Sequence, residues 1–196
     1  MLPRRALPAV LAAGLATALA LTGCTGTSAT AELPTGPQLQ NLETDDGGLL
    51  PVAEREPAPA LDGTTLDGER LDVADLRGDV VVLNFWASWC GPCVAEAKNL
   101  VAVAESTAPS GVTFVGVNIR DDEANARAFE RRHGVRYASI SDQSGSLLTR
   151  FRTLVPQTPP TTLLLDREGR IAARFIGGLT EDELRGPVEA LAAERT

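Results

Sequence analysis

Two cysteines separated by two residues, directly after a continuous apolar segment, constrain this chain more than any other feature of its sequence. Residues 80–86 read Val-Val-Val-Leu-Asn-Phe-Trp, a run typical of a strand that is buried on both faces. Cys-Gly-Pro-Cys follows at 90–93, and residues 92–106 carry a helical pattern. Pro92 suits the first turn of a helix, where its missing N–H has no partner to lose. We therefore predict that a buried strand delivers Cys90 to the N-terminus of a helix.

The spacing of the two cysteines has a direct chemical consequence. The unpaired N–H groups and the dipole at a helix N-terminus stabilise a thiolate on Cys90, and a thiolate is the form that attacks disulfides. Cys93 lies one turn further along, where it can attack a mixed disulfide formed by Cys90. An inert structural disulfide remains an alternative. A zinc site would need about four ligands, and a covalent haem site would need a histidine where Val94 stands.

The N-terminus has the charge-then-apolar order of a secretory signal, because two arginines precede an apolar run over 7–21. The run ends in Leu-Thr-Gly-Cys, which resembles the lipobox of bacterial lipoproteins, whose cysteine is lipidated and becomes the first residue of the mature chain. We predict a lipoprotein signal peptide over 1–23 and lipidation of Cys24; an ordinary signal peptide followed by an incidental cysteine is the alternative. Residues 24–56, rich in Thr, Pro, Gly and acidic side chains, are predicted to form a flexible linker, and 57–196 the folded domain.

Strand and helix patterns alternate through this domain. We predict a hairpin around the Asp-Gly turns at 62–63 and 67–68, followed by the order β-α-β-α-β-α-β-β-α. The predicted strands lie at 80–86, 113–119, 137–141, 162–165 and 170–176, and the predicted helices at 92–106, 123–132, 146–152 and 180–193. This alternation predicts an α/β domain with a central sheet flanked by helices and with a β-hairpin as an N-terminal extension.

The segment around the cysteine pair resembles a known family. Trp-Cys-Gly-Pro-Cys after a Val-rich strand resembles the thioredoxin active site, and the lead-in Asn-Phe-Trp-Ala-Ser at 84–88, behind a lipobox, resembles that of the TlpA/ResA-like thiol–disulfide oxidoreductases. The resemblance covers roughly residues 57–195 and implies a thioredoxin-like fold with a mixed central sheet. It implies that Cys90 and Cys93 are catalytic and form a redox-active disulfide. It also implies a substrate-binding surface that includes Trp89, Gly91 and Pro92.

A second match to the family is Pro-Pro-Thr-Thr-Leu-Leu-Leu-Asp at 159–166. In thioredoxin-like proteins a cis-proline stands just before this strand, faces the two cysteines and shapes the substrate groove. The resemblance assigns that place to Pro160; an ordinary trans loop, or a shift that makes Pro159 the cis residue, are the alternatives. Pro159 is then a substrate-binding residue that offers its carbonyl but lacks an N–H, so we expect substrates to be held loosely.

One carboxylate is a candidate for proton transfer at Cys93. Glu96 lies three residues further on the same predicted helix, and in ResA-like proteins a Glu at this offset is a candidate proton acceptor for the buried cysteine. Thioredoxin uses a buried Asp on the preceding strand, where this chain has Asn84, which does not titrate. Many relatives kink this helix with a proline where Lys98 stands here. The alternative is that Glu96 is a solvated helix residue.

The charge distribution argues against nucleic acid as a partner. The net charge is −8, and the basic residues, of which Lys98 is the only lysine, are scattered. Arg131, Arg132 and His133 are interpreted as the solvated end of a helix whose dipole they stabilise. We predict neither a cofactor nor a metal.

These features together predict a protein disulfide reductase outside the cytoplasm, held at the cell membrane through Cys24. The predicted partners are exported disulfide-containing proteins and a membrane thiol relay that re-reduces the pair, and a monomer is expected. Cytochrome c maturation, with apocytochrome c as substrate, is the role best known among relatives. Two alternatives stay open: a thiol oxidase that forms disulfides in exported proteins, and a non-catalytic binding lipoprotein.

Overall fold

The computed structural model describes residues 48–194, so the predicted signal peptide and Cys24 lie outside the described residues. The described strands are β1 (Asp62–Thr64), β2 (Arg70–Asp72), β3 (Val80–Trp86), β4 (Val112–Ile119), β5 (Ser139–Asp142), β6 (Thr161–Leu165) and β7 (Ile171–Ile176). The described α-helices are α1 (Gly91–Thr107), α2 (Glu123–His133), α3 (Ser146–Arg150) and α4 (Glu181–Ala193). The predicted order of elements is confirmed. No helix among residues 48–194 combines the length and the apolar character that crossing a membrane requires.

Five of these strands form one mixed sheet in the order β5-β4-β3-β6-β7. Strand β4 runs parallel to β3 and β5, whereas β6 is antiparallel to β3 and β7. Strand β3 is central and buried along its whole length, as its unbroken apolar run predicts. The predicted mixed sheet is therefore confirmed, and β1 and β2 form the predicted hairpin as a separate two-stranded sheet.

The two faces of β3 contribute to two parts of the core, because side chains alternate along a strand. Leu83 and Phe85 belong to a cluster that includes Leu148 of α3. Val82 belongs to a second cluster, to which α1 contributes Leu100 and α4 contributes Leu184, Val188 and Leu191. The sheet therefore has helical cover on both faces.

The prediction of a flexible linker up to residue 56 is wrong for residues 48–56. Leu49 and Leu50 are 2% and 3% exposed, and the Leu50 N–H donates to the Ala172 carbonyl of β7 at 2.7 Å. Arg55 Nε donates to the Leu50 carbonyl at 2.9 Å. The segment covers part of the outer edge of β7, whose backbone groups need partners. Two adjacent leucines carry no periodic signal, so patterning alone could not assign them to the core.

The start of α4 ties this helix to α1 at the end of the sheet where the cysteines lie. Thr180 and Glu183 form a capping box, in which each side chain accepts the backbone N–H of the other residue. Just before the cap, the Leu179 carbonyl accepts a hydrogen bond from Asn99 Nδ2 of α1 at 2.7 Å. The backbone of residue 179 is therefore held against the helix that carries the cysteines.

Candidate active site

The cysteine pair lies where β3 passes into α1. Cys90 and Cys93 form a disulfide with a Cα–Cα distance of 5.3 Å. Cys90 is the N-cap of α1, and its Sγ accepts the Cys93 N–H at 3.1 Å. Only 4% of Cys90 and 1% of Cys93 is exposed, so burial does not separate the two cysteines, whereas their position on the helix does. Cys90 lies at the positive end of the helix dipole, which favours its thiolate when the pair is reduced.

A buried carboxylate holds the loop that precedes Cys90. Asp121, just after β4, accepts hydrogen bonds from the Ser88 N–H at 2.5 Å and from Ser88 Oγ at 2.8 Å. It also accepts from Asn118 Nδ2 and from the Asp122 N–H, both at 2.9 Å. All four donors are uncharged, and together they occupy both carboxylate oxygens. Asp121 therefore fixes the backbone two residues before the cysteine.

Glu96 is buried one turn beyond Cys93 on α1, with 1% of its surface exposed. Its Oε1 accepts from Asn84 Nδ2 at 2.9 Å, and its Oε2 accepts the Leu179 N–H at 3.1 Å. Burial raises the pKa of Glu96 from 4.5 to about 7, and the hydrogen bonds from Asn84 and Leu179 oppose this shift. The alternative of a solvated helix glutamate is therefore wrong. Asn84 does not titrate, but it holds the carboxyl group that does.

The peptide bond between Pro159 and Pro160 is cis, as predicted. Pro160 directly precedes β6, which is antiparallel to β3 and begins beside the end of that strand, so the proline lies at the same end of the sheet as the cysteines. The Pro160 carbonyl accepts the Gly177 N–H at 3.0 Å. A Cβ on the next residue, Gly178, would stand 3.4 Å from the Pro92 carbonyl oxygen. The turn at 177–178 therefore connects the cis-proline with the first turn of α1.

Trp89 is largely exposed beside Cys90, with 56% of its surface accessible. Its indole N–H donates to the Arg120 carbonyl at 3.1 Å, and the Arg120 guanidinium donates to Gln157 Oε1 at 2.6 Å. Arg120 has a φ of +48°, which is uncommon for a residue other than glycine. Gly145 leaves room for its side chain, because a Cβ there would be 2.7 Å from Arg120 Nε. Arg120 thus links Trp89 to the loop that leads to the cis-proline.

The structure brings every predicted site residue of the domain to this one end of the sheet. Gly91 and Pro92 are exposed, Pro159 is half-buried and Pro160 is buried. The contacts of Ser88, Asp121 and Arg120 are not predicted from the sequence. The acidic pair after β4 is the signal that could have found them, because the carboxyl ends of neighbouring parallel strands meet at one edge of a sheet. Residues 48–194 contain no cluster of three or more potential metal ligands.

Known proteins resemble this chain over most of its length. The family model described as Redoxin matches residues 51–191. HelX, a thiol:disulfide interchange protein of Rhodobacter capsulatus, is 31% identical over 156 residues, which are 78% of this chain and 85% of HelX. ResA, a thiol-disulfide oxidoreductase of Bacillus cereus, is 25% identical over 134 residues, 68% of this chain and 76% of ResA. The crystal structure of a secreted thiol-disulfide isomerase of Corynebacterium glutamicum has a TM-score of 0.70 and 30% identity, with 74% of this chain and 91% of that chain covered.

This chain therefore belongs to the Redoxin family and is a ResA-like thiol–disulfide oxidoreductase with a thioredoxin-like fold. The predicted family, fold and enzyme class are confirmed. The fold explains the position of the site, because the loop from β3 to α1 places the cysteine pair at the end of the sheet where β4 ends and β6 begins.

Proposed function

We propose that this protein is a protein disulfide reductase that acts on exported proteins. In the reduced enzyme the Cys90 thiolate attacks one sulfur of a substrate disulfide, forms a mixed disulfide and expels the other sulfur as a thiolate. Cys93 gives up its proton and attacks Cys90 Sγ, which expels the second substrate sulfur. The two substrate thiolates take up protons, and two electrons have passed from the enzyme to the substrate. The Cys90–Cys93 disulfide is the enzyme's oxidised product.

The observation that carries this mechanism is the buried carboxyl group of Glu96. Cys93 is 1% exposed, so its proton has little direct access to solvent. Glu96 lies one turn away with its pKa raised to about 7, so near neutral pH it can both accept a proton and return it. We assign Glu96 as the proton acceptor for Cys93, and Cys90 as the nucleophile because it caps the helix.

The reducing direction is supported by the dipeptide between the cysteines. Gly91 and Pro92 are the residues found in thioredoxin, whose potential is about −270 mV, whereas a strong oxidant of this fold lies near −120 mV. In the proposed cycle the enzyme must regain two electrons after each turnover. A membrane thiol relay is the proposed donor.

We further infer that the enzyme works outside the cytoplasm, anchored through lipid on Cys24. The lipobox-like Leu-Thr-Gly-Cys supports both the location outside the cytoplasm and the lipid anchor. The description of the similar Corynebacterium glutamicum protein as secreted supports the location. More than one acyl chain would be needed for stable anchoring, because a single chain binds a membrane only marginally. Cytochrome c maturation, with apocytochrome c as substrate, is the specific role proposed by resemblance to the ResA-like family. The enzyme is proposed to act as a monomer.

Insulin reduction and the reduction potential test the function together. We expect a potential near that of thioredoxin and insulin reduction that the Cys90→Ser variant loses. Cys93→Ser should instead accumulate mixed disulfides through Cys90, because the resolving thiol is absent. A potential near −120 mV, together with oxidation of reduced proteins, would contradict the reductase and favour the alternative of a thiol oxidase. If insulin reduction persists in Cys90→Ser, the cysteine pair is not catalytic, and the alternative of a non-catalytic binding lipoprotein is favoured.

A further inference from the structure

We propose that the groove between Trp89 and the C-terminal half of α2 binds the stretch of substrate polypeptide next to the attacked cysteine, and that it favours a large apolar side chain accompanied by an acidic one. The proposal rests on the proposed function, because its occupant is the polypeptide that carries the substrate disulfide. It adds a sequence preference that the thiol chemistry alone does not supply.

The groove lies beside the cysteine pair, because the residues that flank the two cysteines line it. It has a volume of about 690 Å³ and is lined on one side by Trp89 and Val94 and on the other by residues of α2 that include Phe129, Arg132 and His133. Trp89 is the residue before Cys90, and Val94 is the residue after Cys93. A polypeptide whose sulfur is bonded to Cys90 therefore places its neighbouring side chains within reach of this groove.

The near wall of the groove is apolar and exposed. Among residues 48–194 the exposed large apolar side chains are Val52, Trp89, Val94 and Ile176. Two of these four line this one groove, at 56% and 42% exposure. Phe129 of α2 faces them across the groove, and its ring packs against Trp86 at a centroid distance of 4.6 Å. Trp89 and Val94 therefore give an apolar side chain of the substrate a surface against which it can be buried.

The far wall of the groove is positively charged in a protein whose net charge is −8. Arg132 and His133 lie in the last turn of α2, and the described residues that line the groove include no carboxylate. Lys98 of α1 lies close enough to His133 to lower its pKa, together with burial, which is the largest cause, and Arg132. A lowered pKa disfavours the charged imidazole, so the positive charge of this wall comes from Arg132 and Lys98. An acidic side chain on the substrate complements this wall.

Arg132 has no competing partner within residues 48–194, where it forms no ion pair with a carboxylate. Arg127, one turn earlier on α2, differs in this respect, since it binds Glu123 at 3.2 Å and the Leu66 carbonyl at 2.7 Å. The charge of Arg132 is therefore available to a ligand.

Two disulfide-linked peptides test the inference with the full-length reduced protein. They are identical except that the cysteine is flanked by Leu-Asp in one and Leu-Asn in the other. We expect the wild-type protein to have the lower KM for the acidic peptide at low ionic strength. Arg132→Gln should reduce this preference about two- to fivefold through KM, the range expected for one charge pair at a surface. The preference should also shrink at about 0.5 M salt, where screening is strong.

Arg131→Gln is the matched control, because it removes the same charge from the neighbouring exposed position, which does not line the groove. It should retain the wild-type preference. A second variant, Val94→Ser, should show a smaller preference for the Leu-Asp peptide over a third peptide in which Ala replaces this Leu.

The groove proposal is wrong if Arg131→Gln and Arg132→Gln lose the acidic preference equally, or if the wild-type protein has no such preference. The proposed reductase function would still stand in either case, provided that the wild-type protein reduces both peptides. Failure of the wild-type protein to reduce either peptide and glutathione disulfide would overturn the proposed function, and the groove proposal with it.

Discussion

The two ends of the central sheet hold their buried carboxylates with opposite kinds of partner. At the end with the cysteines, Glu96 accepts hydrogen bonds from the side-chain amide of Asn84 and from a backbone N–H. At the other end, Asp166 after β6 lies 3.4 Å from the Arg55 guanidinium, and Arg55 also binds Glu194 through two nitrogens at 2.6 and 2.7 Å. Arg170 adds a second cation to Asp166 at 2.8 Å.

This difference in partners separates a carboxyl group that can exchange protons from one that serves structure. A neighbouring cation stabilises the charged form of a carboxylate, whereas burial among neutral groups stabilises the protonated form. Glu96 has neutral partners, and burial raises its pKa to about 7. In the opposite cluster the pKa of Arg55 is raised, first by its hydrogen bond to Glu194, so the guanidinium stays charged at working pH. The contrast predicts that variants at the two ends affect different properties.

The largest expected effect is loss of stability when the ionic end is broken. Arg55→Ala leaves Asp166 buried with one cation fewer and removes the hydrogen bond to the Leu50 carbonyl. We expect the free energy of unfolding, measured with urea, to fall by about 3 kcal/mol or more. Arg55→Lys keeps the charge without the two-pronged contact to Glu194 and should lose less. A change below about 0.5 kcal/mol in Arg55→Ala would contradict a structural role for this cluster.

Glu96→Gln should change how stability depends on pH. The folded pKa of about 7 lies above the unfolded value of 4.5, so the folded protein binds more protons between these values and its stability falls as pH rises from about 4.5 to about 7. The full loss is at most about 3 kcal/mol. The variant lacks this titration, so the difference in unfolding free energy between the two proteins should change over this pH window. Parallel pH curves would show that Glu96 does not titrate in this range.

The same substitution should slow release of substrate from the mixed disulfide. Glutamine cannot accept the Cys93 proton, so we expect a decrease of about a hundredfold in the resolution rate at pH 7. Stopped-flow measurement of mixed-disulfide decay checks this, with the attack by Cys90 as an internal control because it precedes the proton transfer. Unchanged decay between about pH 6 and 8 would remove Glu96 from the mechanism.

A smaller effect is expected at the second carboxylate of the cysteine end. Asp121→Asn turns one acceptor oxygen into a donor that faces the donors of Ser88 or Asn118, which should cost about 2 kcal/mol of stability. Asp122→Asn is the matched control, because Asp122 caps α2 and asparagine caps a helix about as well. Equal losses in the two variants, by thermal or urea unfolding, would show that Asp121 is no special anchor of the loop before Cys90.

The smallest effect is expected for an ion pair at the protein surface. Arg70 binds Asp62 across the β1–β2 hairpin at 3.0 Å, and 74% of its side chain is exposed. Arg70→Ala should change the unfolding free energy by less than about 1 kcal/mol, because solvent screens such a pair. A loss as large as that of Arg55→Ala would show that burial does not explain the strength of the ionic cluster.

The parts of the site that depend on neighbouring residues can be predicted from the sequence. An unbroken apolar run is sufficient to predict the buried strand β3, and the proline after Cys90 is sufficient to predict that the cysteine starts a helix. The capping box of α4 follows from two residues three positions apart. The cis bond at Pro160 comes from the family motif. These signals are local, so no knowledge of the tertiary structure is needed to find them.

The environment of these residues depends on contacts between segments that are distant in the chain. Glu96 acquires its raised pKa because Asn84 and Leu179, the latter 83 residues away in sequence, enclose its carboxyl group. Asp121 reaches the loop at Ser88 because β4 ends beside β3. The burial of Leu49 likewise depends on a distant helix and strand. Burial, pKa and groove shape are set by contacts between segments far apart in the chain, and hydrophobic periodicity within one segment carries no information about those contacts.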